Sequence, residues 1–409
     1  MQESLSSESP GPVVYMESPR DLPSQKRGEG EKGGDSERVG KQRRQRFAYA
    51  LFRYELVHDQ TSTTAQMTTD AWATSLAFAN LDAKDALYRA LSNANAAHLM
   101  PKTYLLRYDL ASIEGMPENL PSMPCSILKA ALGSGGDCLF FVRSKSAILD
   151  VITDHKRKAE SFPGFIESLV REYGAVPAWS LQAYHIPLCI DWFGKRRRSQ
   201  FRVYCVYSQL PKKAVYIYNQ VEVRLPEWNI DLDSLLGITS EKRLNDGHDF
   251  DLCRPYNEGR NKTLTDRVTL MEISKQLELE LGLMEGESTK LQDKILSHVL
   301  HTMQALQEQI ISNVKPPEEL PFPVSSSSTS FTSLSDLSRN EVAVVGIDIL
   351  LSSTGQPYIL EFNNNPAMPQ QHKRMSDAYK EHLINLMSSI KKLVCHHTNE
   401  NSFMTVDIQ

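Results

Sequence analysis

Two apolar runs, Val342–Leu351 and Tyr358–Asn363, flank Ser352-Ser353-Thr354-Gly355-Gln356, and this stretch constrains the fold more tightly than any other. β-branched and aromatic residues on both sides of a short glycine-containing turn predict an antiparallel strand pair. Glu361 and Asn363 are two apart on a strand, so their side chains share one face. With the turn centred between Thr354 and Gly355, Asp348 pairs directly opposite Glu361 on that same face. Three oxygen-bearing side chains then converge while their apolar neighbours point the other way. Two carboxylates pressed together in a mostly buried sheet repel until one takes a proton or a cation sits between them. Two carboxylates and an amide oxygen are hard ligands suited to Mg²⁺. A half-exposed hairpin with a polar face is the alternative. Asn363-Asn364-Asn365-Pro366 weighs against it, because a strand rarely runs into three amides without a task for them.

A second stretch, Ile127-Leu128-Lys129-Ala130-Ala131-Leu132-Gly133-Ser134-Gly135-Gly136, reads as a strand bearing a lysine and followed by a glycine-rich loop. Glycines let backbone N–H groups approach phosphate oxygens, and a strand-end lysine supplies a point charge. No G-K-[ST] follows, so this is not a Walker A loop, and on its own such a loop is often only a hairpin. Its pairing with a carboxylate hairpin far along the chain gives it weight. A protein kinase also combines a glycine loop with a strand lysine. There the loop precedes the lysine and H-R-D and D-F-G segments follow; Asp249-Phe250-Asp251 is the nearest match to the latter, H-R-D is missing, and the kinase reading is rejected.

The rest of the chain sets the frame. It has 409 residues with 45 basic and 50 acidic side chains, a formal charge of −5. Near balance of charge gives no global case for nucleic acid as a partner. No apolar run approaches the length of a membrane span, and Met1-Gln2-Glu3-Ser4 does not open a signal peptide. The six cysteines are scattered without a C-x-x-C, which fits reduced thiols in a cytoplasmic setting. Residues 1–46 are too polar to offset their ordering entropy and read as a disordered tail. Expected beyond it are an N-terminal α/β lobe over 47–125, a central lobe over 126–225, a C-terminal lobe over 226–395 with a flexible insert at 315–340, and a tail at 396–409.

Within these lobes, strands are predicted at Phe47–Phe52, Tyr104–Leu106, Cys125–Lys129, Phe140–Val142, 179–186, 201–208 and Ala214–Leu225. Helices are predicted at Lys84–Leu91, over 147–172 with a break at Pro163-Gly164, and at 289–314, where Leu291, Ile295, Val299, Met303, Leu306 and Ile310 recur three or four apart. A last helix carries Met375, Tyr379, Leu383, Leu386 and Ile390 on one face. Phe193-Gly194-Lys195-Arg196-Arg197-Arg198 reads as a turn with a dense basic cluster. Cys395-His396-His397 reads as a solvated helix end.

These pieces in this order resemble the tubulin–tyrosine ligase-like branch of the ATP-grasp superfamily. The matching segments are Met100–Tyr104, Ile127–Gly136, Leu181–Leu188, Phe201–Tyr204 and Val345–Pro366, with Lys84 in Asp82-Ala83-Lys84-Asp85 similar to the family's early nucleotide lysine. The resemblance implies an α/β (α+β) ATP-grasp fold of two or three lobes, with the nucleotide between antiparallel sheets. It implies that Lys129 and the Gly133, Ser134, Gly135, Gly136 loop hold ATP phosphates with help from Lys84. Gln182, Tyr184, His185 and Ile186 would line the adenine pocket, Asp348, Glu361 and Asn363 would hold Mg²⁺, and Arg202 and Arg224 would meet the γ-phosphate or the donor carboxylate. Two departures stand out. Gln200 replaces an acid before the Phe-Arg segment, which bears on a ribose or substrate contact. Asp266, in Leu264-Thr265-Asp266, replaces the family's asparagine.

The implied activity is ATP-dependent carboxylate–amine ligation through an acyl phosphate, joining an amino acid to the acidic tail of a protein acceptor such as tubulin, with cytoskeletal association. A ligase of small metabolites and an inactive protein-binding relative are the alternatives. The Lys195–Arg198 run, beside Arg202, is the candidate docking patch for the acidic tail, with a solvated turn as its plainer reading.

Overall fold

The computed structural model describes residues 77–112, 114, 116–118, 126–131, 139–142, 144–160, 178–209, 212–226, 265–314, 342–364, 366, 375–395, 399 and 401–408. The strand expected at Phe47–Phe52, the glycine loop at 133–136, the Asp249-Phe250-Asp251 segment, the 315–340 insert and His396-His397 lie outside these residues, as does the Pro163-Gly164 break.

In chain order the elements are α1 (Lys84–Asn93), β1 (Thr103–Leu106), β2 (Ser126–Ala130), β3 (Leu139–Val142), α2 (Lys145–Glu160) and β4 (Trp179–Ala183). There follow β5 (Cys189–Trp192), β6 (Lys195–Arg198), β7 (Gln200–Ser208), β8 (Ala214–Tyr218), β9 (Glu222–Pro226) and β10 (Thr265–Thr269). Last come α3 (Ser274–Leu281), α4 (Ser288–Ala305), α5 (Gln307–Val314), β11 (Val342–Leu351), β12 (Pro357–Asn364), α6 (Asp377–Cys395) and β13 (Phe403–Asp407). This is a mixed α+β arrangement whose strand pairings within sheets are antiparallel. No helix among the described residues is long and apolar enough to cross a membrane.

The smaller sheet has four strands in the order β1-β4-β2-β3. One of its faces is apolar: Leu106, Leu128, Val142, Trp179 and Leu181 pack with Ile148, Val151 and Ile152 of α2. The other face carries Thr103, Lys129 and Gln182, as strand alternation requires. The larger sheet has seven strands and centres on β7, with β11 and β12 on one side and β9, β10, β8 and β13 on the other. Its first face is apolar apart from Asp266 at the β10 edge, with Phe201, Val203, Cys205, Val345, Ile347 and Ile349 packed against α4 and its neighbours. Leu291, Ile295, Val299, Met303, Leu306 and Ile310 are all buried as the spacing predicts, although the helix breaks at Leu306 into α4 and α5. The second face is apolar only at one end, where Tyr204, Val206, Val342 and Val344 meet Tyr379, Leu383, Leu386 and Ile390 of α6. The other end of that face is charged.

Several elements differ from the sequence reading. The division at residue 225 does not hold: β2, β3 and β4 belong to the smaller sheet with β1, while β7, β8 and β9 belong to the larger sheet with the C-terminal strands. The crossing falls at residues 184–188, where Leu188 N–H donates to Leu351 O and Pro187 bridges Ser352. The run Ala214–Leu225 is two strands along one edge of β7. The pairing slips by two residues between Cys205↔Ile217 and Gln200↔Arg224, and the excess is taken up at Asn219–Val221. The basic segment at 193–198 is the second half of a two-residue hairpin. Phe193 and Gly194, with φ of 48° and 71°, both adopt the positive φ that such a turn demands.

The expected tail at 396–409 contains β13, which pairs with β8 from Phe403↔Tyr218 to Asp407↔Ala214 and buries Phe403, Val406 and Ile408. Its five residues alternate too briefly beside a polar stretch to stand out in the sequence. A Phe403→Ala substitution is expected to cost about 3 kcal/mol, as emptying a packed aromatic site does. The check is a drop in the urea midpoint at unchanged m-value; an unchanged midpoint would return the segment to the status of a tail.

Candidate active site

Alternation along the strands assembles the charged end of the larger sheet. From β10 to β12, Thr269, Glu222, Arg202, Asp348 and Glu361 stand opposite one another in turn, a row running perpendicular to the strands. One adjoining row is Arg267, Arg224 and Gln200; the other is Tyr204, Gly346 and Asn363. Asp348 does oppose Glu361, but not because the turn is centred between Thr354 and Gly355. Leu351 pairs with Pro357, which centres the turn on Thr354, and a bulge at Leu360 then restores the pairing by one residue.

Asp348 is buried and held at both oxygens by Arg202, Nε to Oδ1 at 2.5 Å and Nη2 to Oδ2 at 2.8 Å. Asn363 Nδ2 also donates to Asp348 Oδ2 at 3.1 Å. Arg202 lies across the bare backbone of Gly346, where a Cβ would come within 3.1 Å of Arg202 Cδ and 3.3 Å of Pro366 Cβ. Burial alone would raise the Asp348 carboxyl, but Arg202 and Arg224 outweigh it and hold its pKa below the ordinary carboxylate value. The charge of Asp348 is thus balanced, in the first place, by a side chain on the strand away from Glu361.

Glu222 is fully buried and serves three partners: Arg224 Nε at 2.5 Å and Arg267 Nη1 at 2.8 Å on Oε1, and the Tyr204 hydroxyl at 2.7 Å on Oε2. Burial opposes its charge, and Arg224, Arg267 and Arg202 override that penalty and hold its pKa well below the carboxylate range. Burial and then the neighbouring Glu222 push the Tyr204 hydroxyl up to about 12. Glu222, Tyr204 and Arg267 were not among the residues expected in the site. The available signal was the spacing of two from Glu222 to Arg224 and from Arg202 to Tyr204.

The smaller sheet supplies the facing wall. Lys129 is buried, and its Nζ donates to Gln182 Oε1 at 2.6 Å; Gln182 Nε2 donates to Thr103 Oγ1 at 3.0 Å, and Thr103 Oγ1 to Pro101 O at 2.7 Å. Burial lowers the Lys129 pKa to about 8, with Lys84 lowering it further and Glu361 opposing the fall. Lys84 opens α1, its backbone N–H bonds Ala131 O at 3.2 Å, and its Nζ lies 3.8 Å from Glu361 Oε2. Lys84 therefore lies beside the carboxylate of β12, and Lys129 feels the charge of that carboxylate from the smaller sheet.

Of the expected adenine-side residues, Gln182 sits in β4, flanked by β1 and β2, so its main chain is committed to the ladder and its side chain to Lys129. The strand ends at Ala183, not 186. Ile186 O accepts from Ser353 N–H at 3.2 Å, Tyr184 packs edge-on against Phe141, and the His185 ring stacks on Tyr358 at 4.4 Å.

The basic run is largely internal business. Arg196 pairs with Glu280 of α3, and buried Arg197 donates to Asp266 Oδ2 at 2.6 Å. Asp266 neighbours Arg267 on β10 and so faces the opposite side of the sheet, away from the Glu222–Arg202–Asp348 row.

As donors to a hard cation, Glu361 and Asn363 offer oxygens at the cleft, with side chains part-buried, and Asp348 offers the lone pairs that Arg202 leaves. The chemistry of this set fits Mg²⁺. Among the described residues no group of three or more His, Cys, Asp or Glu side chains is placed to hold a metal; here the third donor is an amide. In comparisons with known proteins, no protein-family model and no curated protein matches this chain.

An Arg202→Met variant strands a buried carboxylate and should lose about 3–5 kcal/mol at pH 7. The depressed Asp348 pKa stabilises the wild type above the unfolded value of about 3.9 and ceases to do so as pH falls through the folded one. In the variant burial raises the same carboxyl, so the deficit should narrow as pH falls below that raised value and close further as pH passes through the depressed wild-type one. Denaturant titrations at several pH values read this directly, and a pH-independent deficit would contradict it.

Proposed function

We propose that this chain is an ATP-dependent carboxylate–amine ligase of the ATP-grasp type, binding the triphosphate in the cleft between its two sheets. The observation that carries the reading is the meeting of Lys129, Lys84 and the Asp348–Glu361–Asn363 set across that cleft. A buried lysine whose hydrogen-bond partner is a neutral amide gains a full counter-charge when a phosphate arrives.

The chemistry asked of such a site is positioning and charge neutralisation. A carboxylate oxygen of the substrate attacks the γ-phosphorus, ADP leaves, an amine attacks the acyl carbon, and inorganic phosphate departs with formation of an amide bond. Lys129 and Lys84 neutralise phosphate charge, and Arg224, with its reach to 4.0 Å from Asp348, faces charge developing at the γ-phosphoryl group. Arg202 fixes Asp348 and acts through it. Glu361, Asn363 and Asp348 would hold Mg²⁺, which would supply neutralisation of phosphate charge.

The resemblance extends the reading to addition of an amino acid to an acidic protein tail such as that of tubulin. The engagement of Arg196 by Glu280 and Arg197 by Asp266 takes two charges away from the patch that would draw such a tail. That observation favours the second reading, a small-molecule acceptor.

ATP hydrolysis or ligation by the purified chain, assayed with tubulin and with Tyr, Glu and Gly in turn, tests the proposal; nucleotide binding without turnover on any of them would leave an inactive binding relative. Lys129→Ala should raise the Kd for ATP by roughly 10- to 150-fold, the equivalent of a charge-assisted phosphate contact of about 1.5–3 kcal/mol. Because Lys129 is charged below about pH 8 and neutral above, wild-type ATP affinity should fall as pH rises from 7 to 9. That slope should vanish in the variant. Glu361→Gln should abolish Mg²⁺-dependent turnover while leaving the thermal midpoint near wild type, and near-normal turnover at saturating Mg²⁺ would remove the metal assignment.

A further inference from the structure

Arg267 and Arg224 pose an electrostatic problem that the folded chain only half solves. They stand directly opposite one another on β10 and β9, and the third member of their row, Gln200, is neutral. Like charges in direct cross-strand register repel. The nearest acid, Glu222, gives both guanidiniums the same oxygen, Oε1, because Oε2 is taken by the Tyr204 hydroxyl. Asp348, 4.0 Å from Arg224 Nη1, is already held at both oxygens by Arg202. Three guanidiniums thus share two carboxylates, which leaves one positive charge in excess. Glu222 is wholly buried, whereas the Arg224 and Arg267 side chains are 13% and 20% exposed, so both keep an access to solvent that Glu222 lacks.

We infer that Arg224 and Arg267 form a carboxylate subsite, and that Arg267 is the residue that selects substrates carrying a second carboxylate besides the one that reacts. Two guanidiniums offer parallel N–H pairs to a planar anion, a geometry that lysine does not reproduce. Arg224 spans from this subsite towards Asp348, so a short dicarboxylate covers both the subsite and the reacting position. Gln200 belongs to the same device: an acid there would neutralise Arg224 and remove the excess charge.

The inference rests on the ligase reading for what the second carboxylate is attached to, and the test separates the two. The full chain is titrated with Mg²⁺ and a non-hydrolysable ATP analogue, and then, in its presence, with glutarate and with its monoamide, glutaramate. Wild type should prefer glutarate by at least tenfold. Arg267→Met should bring the two ligands level while holding nucleotide affinity within about twofold, and Arg267→Lys should recover only part of the preference. Gln200→Glu, which leaves Arg267 in place, should also erase the preference. Equal binding of the two ligands by wild type, or a preference that survives in Arg267→Met, overturns the subsite. Failure of wild type to bind the nucleotide overturns the ligase reading instead; glutarate against glutaramate is then compared without nucleotide, and the same two outcomes decide the subsite.

Discussion

The pair between Arg202 and Asp348 is the interaction on which the arrangement of the larger sheet depends. Both side chains are buried at the centre of a seven-stranded sheet, on adjacent strands and in direct register. Removing either leaves the other charged in a poor solvent, so neither can change alone. The pair dictates its surroundings. Gly346 must lack a side chain for Arg202 to lie flat, Asn363 must present its amide N–H to Asp348, and the register of β11 against β7 cannot slip by one residue without turning one of the two charges into the apolar layer on α4.

Such a pair adds little net stability compared with apolar packing, and its presence is better understood through placement. It sits where an apolar sheet face gives way to a polar one, between the α6 layer and the cleft. Fixing Asp348 fixes the height at which Glu361 and Asn363 project from the neighbouring strand. Lys84 at the head of α1 lies beside Glu361 and Lys129 on β2 feels its charge from the smaller sheet, while residues 184–188 and the His185–Tyr358 stack set the spacing of the two sheets at the far side. Among the described residues the geometry of the cleft therefore has a few fixed reference points on strands and a helix.

Much of this was legible in the sequence because period and composition agreed. The β11–β12 hairpin, α4 with α5, and the buried face of α6 each follow from alternation or from spacings of three and four, and the convergence of Asp348, Glu361 and Asn363 follows from register. What was not legible depends on contacts between distant segments. That Arg197 faces inward to Asp266 while Arg196 and Lys195 face out is a consequence of Phe193-Gly194 adopting a two-residue turn, for which Phe is an unusual choice. Glu222 looked like an ordinary strand acid until Arg267, forty-five residues on, lay beside it. The bulge at Leu360 compensates a turn one half-residue away from its expected centre, so a correct pairing came from a turn geometry that does not occur.

β13 gives the end of the chain a further role. Without it, β8 would present Val215, Ile217 and the intervening tyrosines along an open edge of the larger sheet, a run of unpaired N–H and C=O groups flanked by apolar side chains. Exposed edges of this kind recruit strands from other molecules. β13 replaces that edge with one that carries Thr405 and Asp407, the latter paired with Lys212 at 2.5 Å. β13 is thus the strand that closes this edge of the sheet to its neighbours in solution, and a chain cut short before Phe403 would be foldable at its centre yet adhesive at its rim.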